Sequence, residues 1–161
     1  MTLLNREETA RRATEARDDG KIVVFTNGCF DLLHSGHVTL LEVAAGEGDL
    51  LIVGLNSDSS VRRLKGEGRP VQPEVARAEA LLKIEEVNVV TIFSENTPLE
   101  LIDSIKPDVL VKGGDYSSAE IVGADIVLSK GGEVVRVPLI EGISTTRIIK
   151  ERMGKESFKK T

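Results

Sequence analysis

The sequence predicts a single α/β domain that contains a five-stranded parallel sheet with helices on both faces. Five short apolar runs recur along the chain, at 22–25, 50–55, 89–93, 109–111 and 134–137. These runs are continuous rather than alternating, which is typical of strands that are covered on both faces. The segments between most of the runs are long enough to hold a helix, which favours βα repetition and hence a parallel sheet.

Cap and turn residues support the predicted helices. Thr97-Pro98-Leu99-Glu100 matches a helix start, with Thr97 as the cap and Glu100 completing a capping box, and Pro107 bounds that helix. Ser144 is predicted to cap another helix after the last strand. We expect one Rossmann-like domain over residues 1–161, with an N-terminal helix in 1–20 and a solvated, frayed tail at 150–161.

Composition limits the classes of protein to consider. The 161 residues are 40% hydrophobic and 3% aromatic, so the core must be built from aliphatic side chains. The single cysteine, Cys29, cannot form an internal disulfide, and the first twenty residues contain no apolar stretch resembling a signal peptide. No run approaches the length of a membrane span. We therefore expect a cytoplasmic, soluble protein, and the net charge of −5 argues against a general nucleic-acid binder.

The segment most suggestive of chemistry follows the first predicted strand and runs from Thr26 to His37. Ligands of open α/β sheets bind outside the carboxyl ends of the strands, where the winding direction reverses. A helix N-terminus attracts phosphate through its unpaired N–H groups and its dipole. Gly36 would let a phosphate approach the backbone, and His34 and His37 can donate hydrogen bonds to phosphate oxygens from one face.

Two other interpretations of this histidine pair remain open. His34 and His37 can be structural, which is the usual role of isolated histidines. They can also begin a Zn²⁺ site, although no cysteine, further histidine or obvious carboxylate completes a ligand set. Their position at a strand-to-helix turn favours a phosphate site.

Two separated motifs resemble those of a known superfamily. The segment GCFDLLHSGH is similar to the HxGH motif of the nucleotidyltransferases that include cytidylyltransferases and adenylyltransferases, and EGISTTRI at 141–148 resembles their second motif. The resemblance implies that His34 and His37 contact a nucleoside triphosphate and steady the transition state. It implies that the second motif presents a helix N-terminus to the phosphates. The residues given these phosphate contacts are Ser144, Thr145, Thr146 and Arg147.

A closer likeness covers most of the chain from Val24 to Ile149. The stretches NSDSSVRRLKGEGRPV, TPLELI, KPDVLVKGGDY and VPLIEGISTT resemble the bacterial D-glycero-β-D-manno-heptose 1-phosphate adenylyltransferases, the nucleotidyltransferase half of the enzyme of ADP-heptose synthesis. The glycerol-3-phosphate cytidylyltransferases share both motifs but resemble the middle of the chain less. The likeness implies transfer of AMP from ATP to a sugar phosphate, in a homodimer.

The resemblance also extends to charged residues in the loops. Lys65 lies in a glycine-flanked loop that could close over the β- and γ-phosphates, and Arg69 could assist; both could equally be solvated surface charges. Arg77 matches an arginine-bearing helix of the family, although Val75-Ala76 stands where a polar residue usually precedes it. We assign Arg69 and Arg77 to substrate binding. Asp31 could reach the acceptor sugar phosphate or position the metal, or it could simply fix the turn.

Residues after the first and fourth strands complete the predicted nucleotide site. Lys112 and Asp115 follow the fourth strand, where the resemblance implies recognition of base or ribose. The remaining predicted nucleotide contacts are Thr26, Asn27, Gly28, Phe30 and Gly36. Phe30 and Cys29 also fit a core position. The residues after the second strand, 56–58, are predicted to cap the next helix.

These residues suggest a chemistry that needs no protein base. A sugar phosphate is already anionic, so it can attack the α-phosphorus of ATP if it is aligned and if charge is neutralised. Mg²⁺ carried by the nucleotide would bridge the triphosphate oxygens without a dedicated protein site. The alternatives are the same chemistry with CTP and glycerol 3-phosphate, and a nucleotide-binding module that has lost activity.

Overall fold

The computed structural model describes residues 1–113, 121–137, 139–141, 146–148 and 151–154. Strands and helices alternate along most of this length. The strands are β1 (Thr2–Leu3), β2 (Val23–Gly28), β3 (Leu50–Asn56), β4 (Val89–Phe93), β5 (Val109–Gly113), β6 (Glu133–Val137), β7 (Leu139–Glu141), β8 (Thr146–Ile148) and β9 (Glu151–Gly154). The helices are α1 (Arg6–Asp18), α2 (Ser35–Ala45), α3 (Asp58–Lys65), α4 (Glu74–Leu82), α5 (Leu99–Ile105) and α6 (Ala124–Ser129).

Over the described residues the main sheet has seven strands, in the order β1-β4-β3-β2-β5-β6-β9, so the predicted number of five was wrong. All five predicted strands are present, as β2 to β6, and their pairings are parallel. The two additional strands lie at the edges. β1 is only two residues long and pairs parallel to β4, whereas β9 has the polar sequence ERMG and pairs antiparallel to β6. Neither has the continuous apolar run that marks a strand covered on both faces.

Helices cover both faces of the sheet, as predicted. Alternate residues of each strand point to opposite faces, so Phe25 packs in one apolar cluster and Val24 in the other. Helices α1, α5 and α6 supply side chains to the first cluster, and α2 and α4 supply the second. The two largest buried apolar side chains are phenylalanines, but aliphatic residues dominate both clusters. In the described ranges, no helix combines the length and apolarity that crossing a membrane requires.

Strand β2 extends three residues further than the apolar run predicts. Thr26, Asn27 and Gly28 continue the parallel ladder opposite Val53, Gly54 and Leu55 of β3. On its other side β2 pairs with β5. The chain therefore winds from β2 towards β4 on one side and from β5 towards β6 on the other, which places the reversal of winding between β2 and β5.

The cap of α5 agrees only in part with the prediction. The N–H of Leu99 donates to Thr97 Oγ1 at 3.4 Å, so Thr97 does serve this helix end. The capping box is not formed, because Glu100 lies beside Arg6 at 3.7 Å instead. Ser57 caps α3 as predicted, accepting from the N–H of Ser60 at 3.2 Å. The predicted N-terminal helix is α1, with Asn5 as its cap.

The helix predicted to start at Ser144 is not formed by the residues that follow it. Thr146–Ile148 is a strand, β8, which pairs antiparallel with β7 through Thr146 opposite Glu141. The sequence TTRII is rich in β-branched residues, and these favour extended backbone over helix. Ser144 itself lies outside the described residues.

Residues 151–154 of the predicted frayed tail form a strand, β9. Arg152 Nη1 contacts Glu47 Oε1 at 2.6 Å and Glu133 Oε2 at 3.0 Å. The Glu47 side chain is only 7% exposed, so this guanidinium balances a carboxylate that has little access to water. The hydrogen bonds to Glu47 and Glu133 raise the pKa of Arg152 above its already high ordinary value, even though burial opposes this.

Replacing Arg152 with alanine should destabilise the protein by about 1–3 kcal/mol, because the buried Glu47 carboxylate would lose its ion pair with this guanidinium. Urea denaturation gives the change in free energy of unfolding. Arg11→Ala is the matched control, since Arg11 is an exposed arginine on α1, and it should change this free energy by less than about 0.5 kcal/mol. Equal effects of the two substitutions would contradict the role assigned to the Arg152 ion pairs.

Candidate active site

A cleft of about 630 Å³ opens at the carboxyl ends of the strands, on the line between β2 and β5. Most of its described lining comes from segments that directly follow strands β2, β3, β4 and β5. This is the location expected of a ligand site in an open α/β sheet. The lining residues are Asn27, Gly28, Cys29, Phe30, Asp31, Leu32, His34, His37, Asn56, Leu64, Lys65, Arg69, Asn96, Thr97, Pro98, Lys112, Ile121 and Val122.

The two histidines form the N-terminal cap of α2. His34 is the cap residue, and its Nδ1 accepts a hydrogen bond from the N–H of Gly36 at 3.1 Å. His37 Nδ1 accepts in turn from the N–H of His34 at 3.3 Å. The two imidazoles stack with 3.8 Å between their centroids and an angle of 23° between their planes. The helix start therefore holds both rings side by side, as the spacing predicts.

This cap also decides which nitrogen of each ring carries the proton. A neutral imidazole has one N–H donor and one acceptor. Since the Nδ1 atoms of His34 and His37 both accept backbone hydrogen bonds, each ring keeps its proton on Nε2. The stacked pair thus presents two Nε2–H donors that are not used by the cap.

The surroundings of His37 favour its neutral form more than water favours that of an exposed histidine. Burial lowers the pKa of its imidazole, and the positive charges that His34 and Lys65 can carry lower it further, against an opposing effect of the Leu32 backbone. At neutral pH His37 is therefore a neutral hydrogen-bond donor. An anion placed beside it would oppose this shift by favouring the charged form.

Phe30 occupies a strained turn between β2 and the histidines. Its φ of +45° is in the left-handed region, which costs a residue other than glycine about 1–2 kcal/mol. The ring folds back over Gly28, where an added Cβ would come within 3.0 Å of it. The same ring meets His37 edge-on, with 5.3 Å between centroids. Phe30 is 4% exposed, so it combines the predicted core position with a place in the cleft wall.

Asp31 fastens a loop over the cleft. Its carboxylate accepts from the N–H groups of Val71 at 2.9 Å and Gln72 at 3.0 Å, and Arg69 Nε donates to it at 3.0 Å. Burial alone would raise the pKa of Asp31, but the N–H groups of Val71 and Gln72 and the Arg69 guanidinium together hold it below its ordinary value. The Asp31 carboxylate is therefore already engaged by three donors of the 69–72 segment rather than by groups of its own turn.

Positive charge lines the cleft although the chain as a whole is acidic. Lys65 at the end of α3, Arg69 in the following loop and Lys112 at the end of β5 all contribute to the wall. Among the described lining residues Asp31 is the only carboxylate. Burial lowers the pKa of Lys112, and the nearby Cys29 thiol acts in the opposite direction. The arrangement suits a polyanionic ligand.

Arg77 does not reach the cleft, which corrects its predicted contact with substrate. The side chain is fully buried behind the wall and donates to four protein oxygens. Sequence reasoning could place the arginine on a helix but could not determine which way its side chain points. The acceptors are the carbonyl oxygens of Gln72, Cys29 and Asn56 and the carboxylate of Asp58.

The other predicted nucleotide contacts are divided between the cleft and elsewhere. Asn27 and Gly28 line the cleft. Thr26 is fully buried and is absent from the described lining. Gly36 uses its N–H in the cap and is likewise not among the described lining residues. Asp115, Ser144 and Thr145 lie outside the described residues, as do the side chains of Thr146 and Arg147.

Several lining residues were not predicted to belong to the site. Asn96, Thr97 and Pro98 follow β4, so the rule that ligands bind after strands could have identified them. Thr97 and Pro98 were interpreted only as a helix start. Ile121 and Val122 have no local signal, because an apolar pair in the sequence resembles any core segment.

A metal site built from the histidine pair is not supported by the described residues. Over those ranges there is no group of three or more His, Cys, Asp or Glu side chains that could hold an ion. The Nδ1 atoms of His34 and His37 are also committed to the helix cap.

Comparison with known proteins gives this architecture a class, that of the nucleotidyltransferases. The chain belongs to the Cytidylyltransferase-like family, whose model matches residues 25–151. That range contains the histidine pair, the cleft-lining loops and both of the separated motifs.

The chain is also similar to part of several curated bacterial proteins. The Bifunctional protein HldE of Gluconobacter oxydans (strain 621H) is 56% identical over 144 residues, which cover 89% of this chain and 30% of that protein. The Bifunctional protein HldE of Rhodopseudomonas palustris (strain HaA2) is 58% identical over 140 residues, covering 87% and 29%. The chain thus spans about 30% of the length of the curated relatives it matches.

Solved structures support the fold. The lipopolysaccharide core biosynthesis protein from Thermoplasma volcanium GSS1 matches with a TM-score of 0.62 and 26% identity, over 76% of this chain and 99% of that one. The pantoate-beta-alanine ligase from Francisella tularensis, complexed with beta-gamma ATP and beta-alanine, matches with a TM-score of 0.61. Its identity is 14%, over 89% of this chain and 69% of that one, so this likeness concerns the fold alone.

The histidine cap predicts a pH dependence of stability. Because the pKa of His37 is lowered in the folded protein, the unfolded chain binds the proton more readily, and acid favours unfolding. We expect the free energy of unfolding to decrease as the pH falls below about 6.5, the ordinary histidine pKa, and on through the lower pKa of folded His37. Urea denaturation between about pH 7 and pH 5 measures this decrease.

The matched variant for this prediction is His37→Ala. It removes the titrating group and should flatten the decrease over the same pH interval, although it also lowers stability at pH 7 by weakening the cap. Parallel curves for the variant and the unaltered protein would show that His37 does not link protonation to folding.

Proposed function

We propose that this protein transfers AMP from ATP to D-glycero-β-D-manno-heptose 1-phosphate, giving ADP-heptose and pyrophosphate. The observation that carries the proposal is the juxtaposition, in one cleft, of the His34–His37 pair with three basic side chains, Lys65, Arg69 and Lys112. The choice of heptose phosphate and ATP is supported by the likeness of the middle of the chain to heptose 1-phosphate adenylyltransferases. The similarity to the HldE proteins agrees with this choice.

Charge favours a triphosphate over a neutral ligand. Lys65, Arg69 and Lys112 give the described lining three basic side chains against one carboxylate, in a chain whose net charge is −5. The Asp31 carboxylate is engaged by its own three donors. A polyanion would therefore meet N–H donors and cations rather than an exposed carboxylate, and its binding would also restore the lowered pKa of Lys112.

The proposed reaction is an in-line displacement at the α-phosphorus of ATP. An oxygen of the sugar phosphate forms the new P–O bond, while the bond from the α-phosphorus to the bridging oxygen breaks and pyrophosphate leaves with the electron pair. The attacking phosphate is already ionised, so no protein base has to remove a proton. The contribution of the protein is alignment and stabilisation of the charge that moves to the leaving group.

Each cleft residue has a proposed role in this step. The Nε2–H groups of His34 and His37 donate to oxygens of the triphosphate where charge develops. Lys65 and Arg69, at the loop side of the cleft, neutralise the β- and γ-phosphates. Lys112, with Asn27 and Gly28 nearby, borders the nucleoside side of the nucleotide.

Residues whose side chains lie outside the described structure keep the roles that the resemblance implies. Asp115 is proposed to recognise base or ribose. The second motif is proposed to contact the phosphates through Ser144, Thr145, Thr146 and Arg147. Asp31 and Arg69, whose side chains the structure does describe, are proposed to border the acceptor sugar phosphate.

Mg²⁺ is proposed to enter the site on the nucleotide. The single carboxylate of the described lining is occupied by protein donors, so the donor set fits a phosphate-borne ion better than a protein-held one. When bound, the ion would neutralise charge on the triphosphate oxygens. We also propose that the enzyme acts in the cytoplasm, as a homodimer, in the supply of cell-envelope heptose.

Removing either imidazole should lower turnover by about 100-fold or more, the loss expected when one transition-state donor is deleted. The test compares His34→Ala and His37→Ala in a pyrophosphate-release assay with ATP and heptose 1-phosphate. Asn substitutions at the same positions keep a polar cap, so they separate loss of the donor from loss of helix stability. Unchanged turnover in folded alanine variants would reject the catalytic role of the pair.

A panel of triphosphates and acceptors decides between the remaining functions. Pyrophosphate release with ATP and heptose 1-phosphate supports the proposal. Release with CTP and glycerol 3-phosphate instead would assign the cytidylyltransferase activity that the family description suggests. Binding of a nucleotide without release from any pair would identify a module that has lost the reaction.

A further inference from the structure

Arg77 joins three segments of backbone that converge behind the cleft. Its Nη1 donates to the carbonyl oxygens of Cys29 at 2.8 Å and Asn56 at 2.7 Å, which lie at the ends of β2 and β3. Its Nε donates to the carbonyl oxygen of Gln72 at 2.9 Å, in the loop before α4. Asp58 balances the charge at 2.7 Å. One buried cation thus ties together the chain segments that form the cleft wall.

Asp31 binds the same loop from the opposite side. The N–H of Gln72 donates to Asp31 at 3.0 Å, while the carbonyl oxygen of Gln72 accepts from Arg77. Cys29 and Asp31 flank Phe30 in sequence, so both neighbours of this residue are fixed by the 69–77 segment. A strained backbone conformation persists only where its surroundings hold it in place. The hydrogen bonds to Cys29 and Asp31 hold the backbone on either side of Phe30, whose φ is +45°.

We propose that Arg77 is a positioning residue for His37. By holding the Cys29 carbonyl it maintains the strained turn, and the turn keeps the Phe30 ring edge-on against the His37 imidazole at 5.3 Å. The ring in turn limits where the Nε2–H of His37 can lie. The consequence for catalysis rests on the function proposed above, whereas the consequence for the imidazole does not.

The competing interpretation is that Arg77 stabilises the fold and does nothing more. Arg17 provides a matched control for that effect, because its Nη1 also donates to two backbone carbonyl oxygens, those of Ile105 at 2.8 Å and Lys106 at 3.0 Å. These bonds belong to α1 and to the end of α5, and Arg17 is not among the described residues that line the cleft. Arg17→Lys therefore removes two guanidinium bonds to main-chain carbonyl oxygens, fewer and more exposed than those of Arg77, without touching the Phe30 turn.

The experiment is an NMR titration of the His37 ring in Arg77→Lys and Arg17→Lys. In Arg77→Lys the pKa of His37 should rise towards the ordinary histidine value, because release of the turn exposes the imidazole to water. In Arg17→Lys the pKa should match that of the unaltered protein, whatever the loss of thermal stability. His34 and Lys65, the titratable neighbours of His37, are unchanged in every variant.

A double variant tests the route through Phe30. Phe30→Leu removes the ring contact directly and should raise the pKa of His37 by itself. If Arg77 acts through that ring, Arg77→Lys/Phe30→Leu should shift the pKa no further than Phe30→Leu alone. Additive shifts would overturn the proposed route, and an unchanged pKa in Arg77→Lys would overturn the proposal.

Two further measurements keep the test decisive. If Arg77→Lys fails to fold, Asp58→Asn removes the charged partner of the guanidinium at a partly exposed position. A smaller rise in the pKa of His37 would support the proposal, and an unchanged pKa would overturn it.

In the pyrophosphate-release assay, Arg77→Lys should lower kcat by about 10- to 100-fold with little change in KM for ATP. Absence of transfer by the unaltered protein would count against the proposed function and leave the NMR result intact.

Discussion

The pairing of β2 with β3 on one side and with β5 on the other is the constraint on which the site depends. It forces the chain to wind in opposite directions from the centre of the sheet, and that reversal opens a crevice between the two strand ends. The segment after β2 must then turn sharply towards α2 beside the crevice. Three local features stabilise that turn: the histidine cap, the strained backbone of Phe30 and the hydrogen bonds that Asp31 accepts from the 69–72 loop.

Two buried charged residues, Asp31 and Arg77, maintain this arrangement mainly through hydrogen bonds to main-chain groups. Asp31 accepts from two main-chain N–H groups, and Arg77 donates to three main-chain carbonyl oxygens. Bonds to the main chain fix the path of the polypeptide and not just the rotamer of a partner side chain. Each charge is also well satisfied, which is the condition under which burial of an ion is tolerated. The loop that carries Arg69 is consequently part of the cleft wall.

The sequence predicted the parts of the structure that have local signals. Continuous apolar runs located the five central strands to within a few residues, because burial on both faces demands such runs. The edge strands β1 and β9 do not need continuous apolar runs, so the pattern did not reveal them. The sequence TTRII forms a strand where a cap at Ser144 had suggested a helix. A motif marks His34 and His37 in the sequence, and both side chains line the cleft. The buried direction of Arg77 depends on tertiary contacts about fifty residues apart in sequence, which no local pattern records.

The two nitrogens of each imidazole can be altered separately, which has a practical use. Nδ1 accepts a main-chain hydrogen bond in the cap of α2, whereas Nε2 is the atom proposed to donate to the triphosphate. A histidine analogue methylated on Nε2, installed by expanded genetic coding, would retain the architectural nitrogen and silence the other. Such a protein would fold as the parent does while the proposed donor is blocked, which under the proposed function would hold the substrates in place for crystallography.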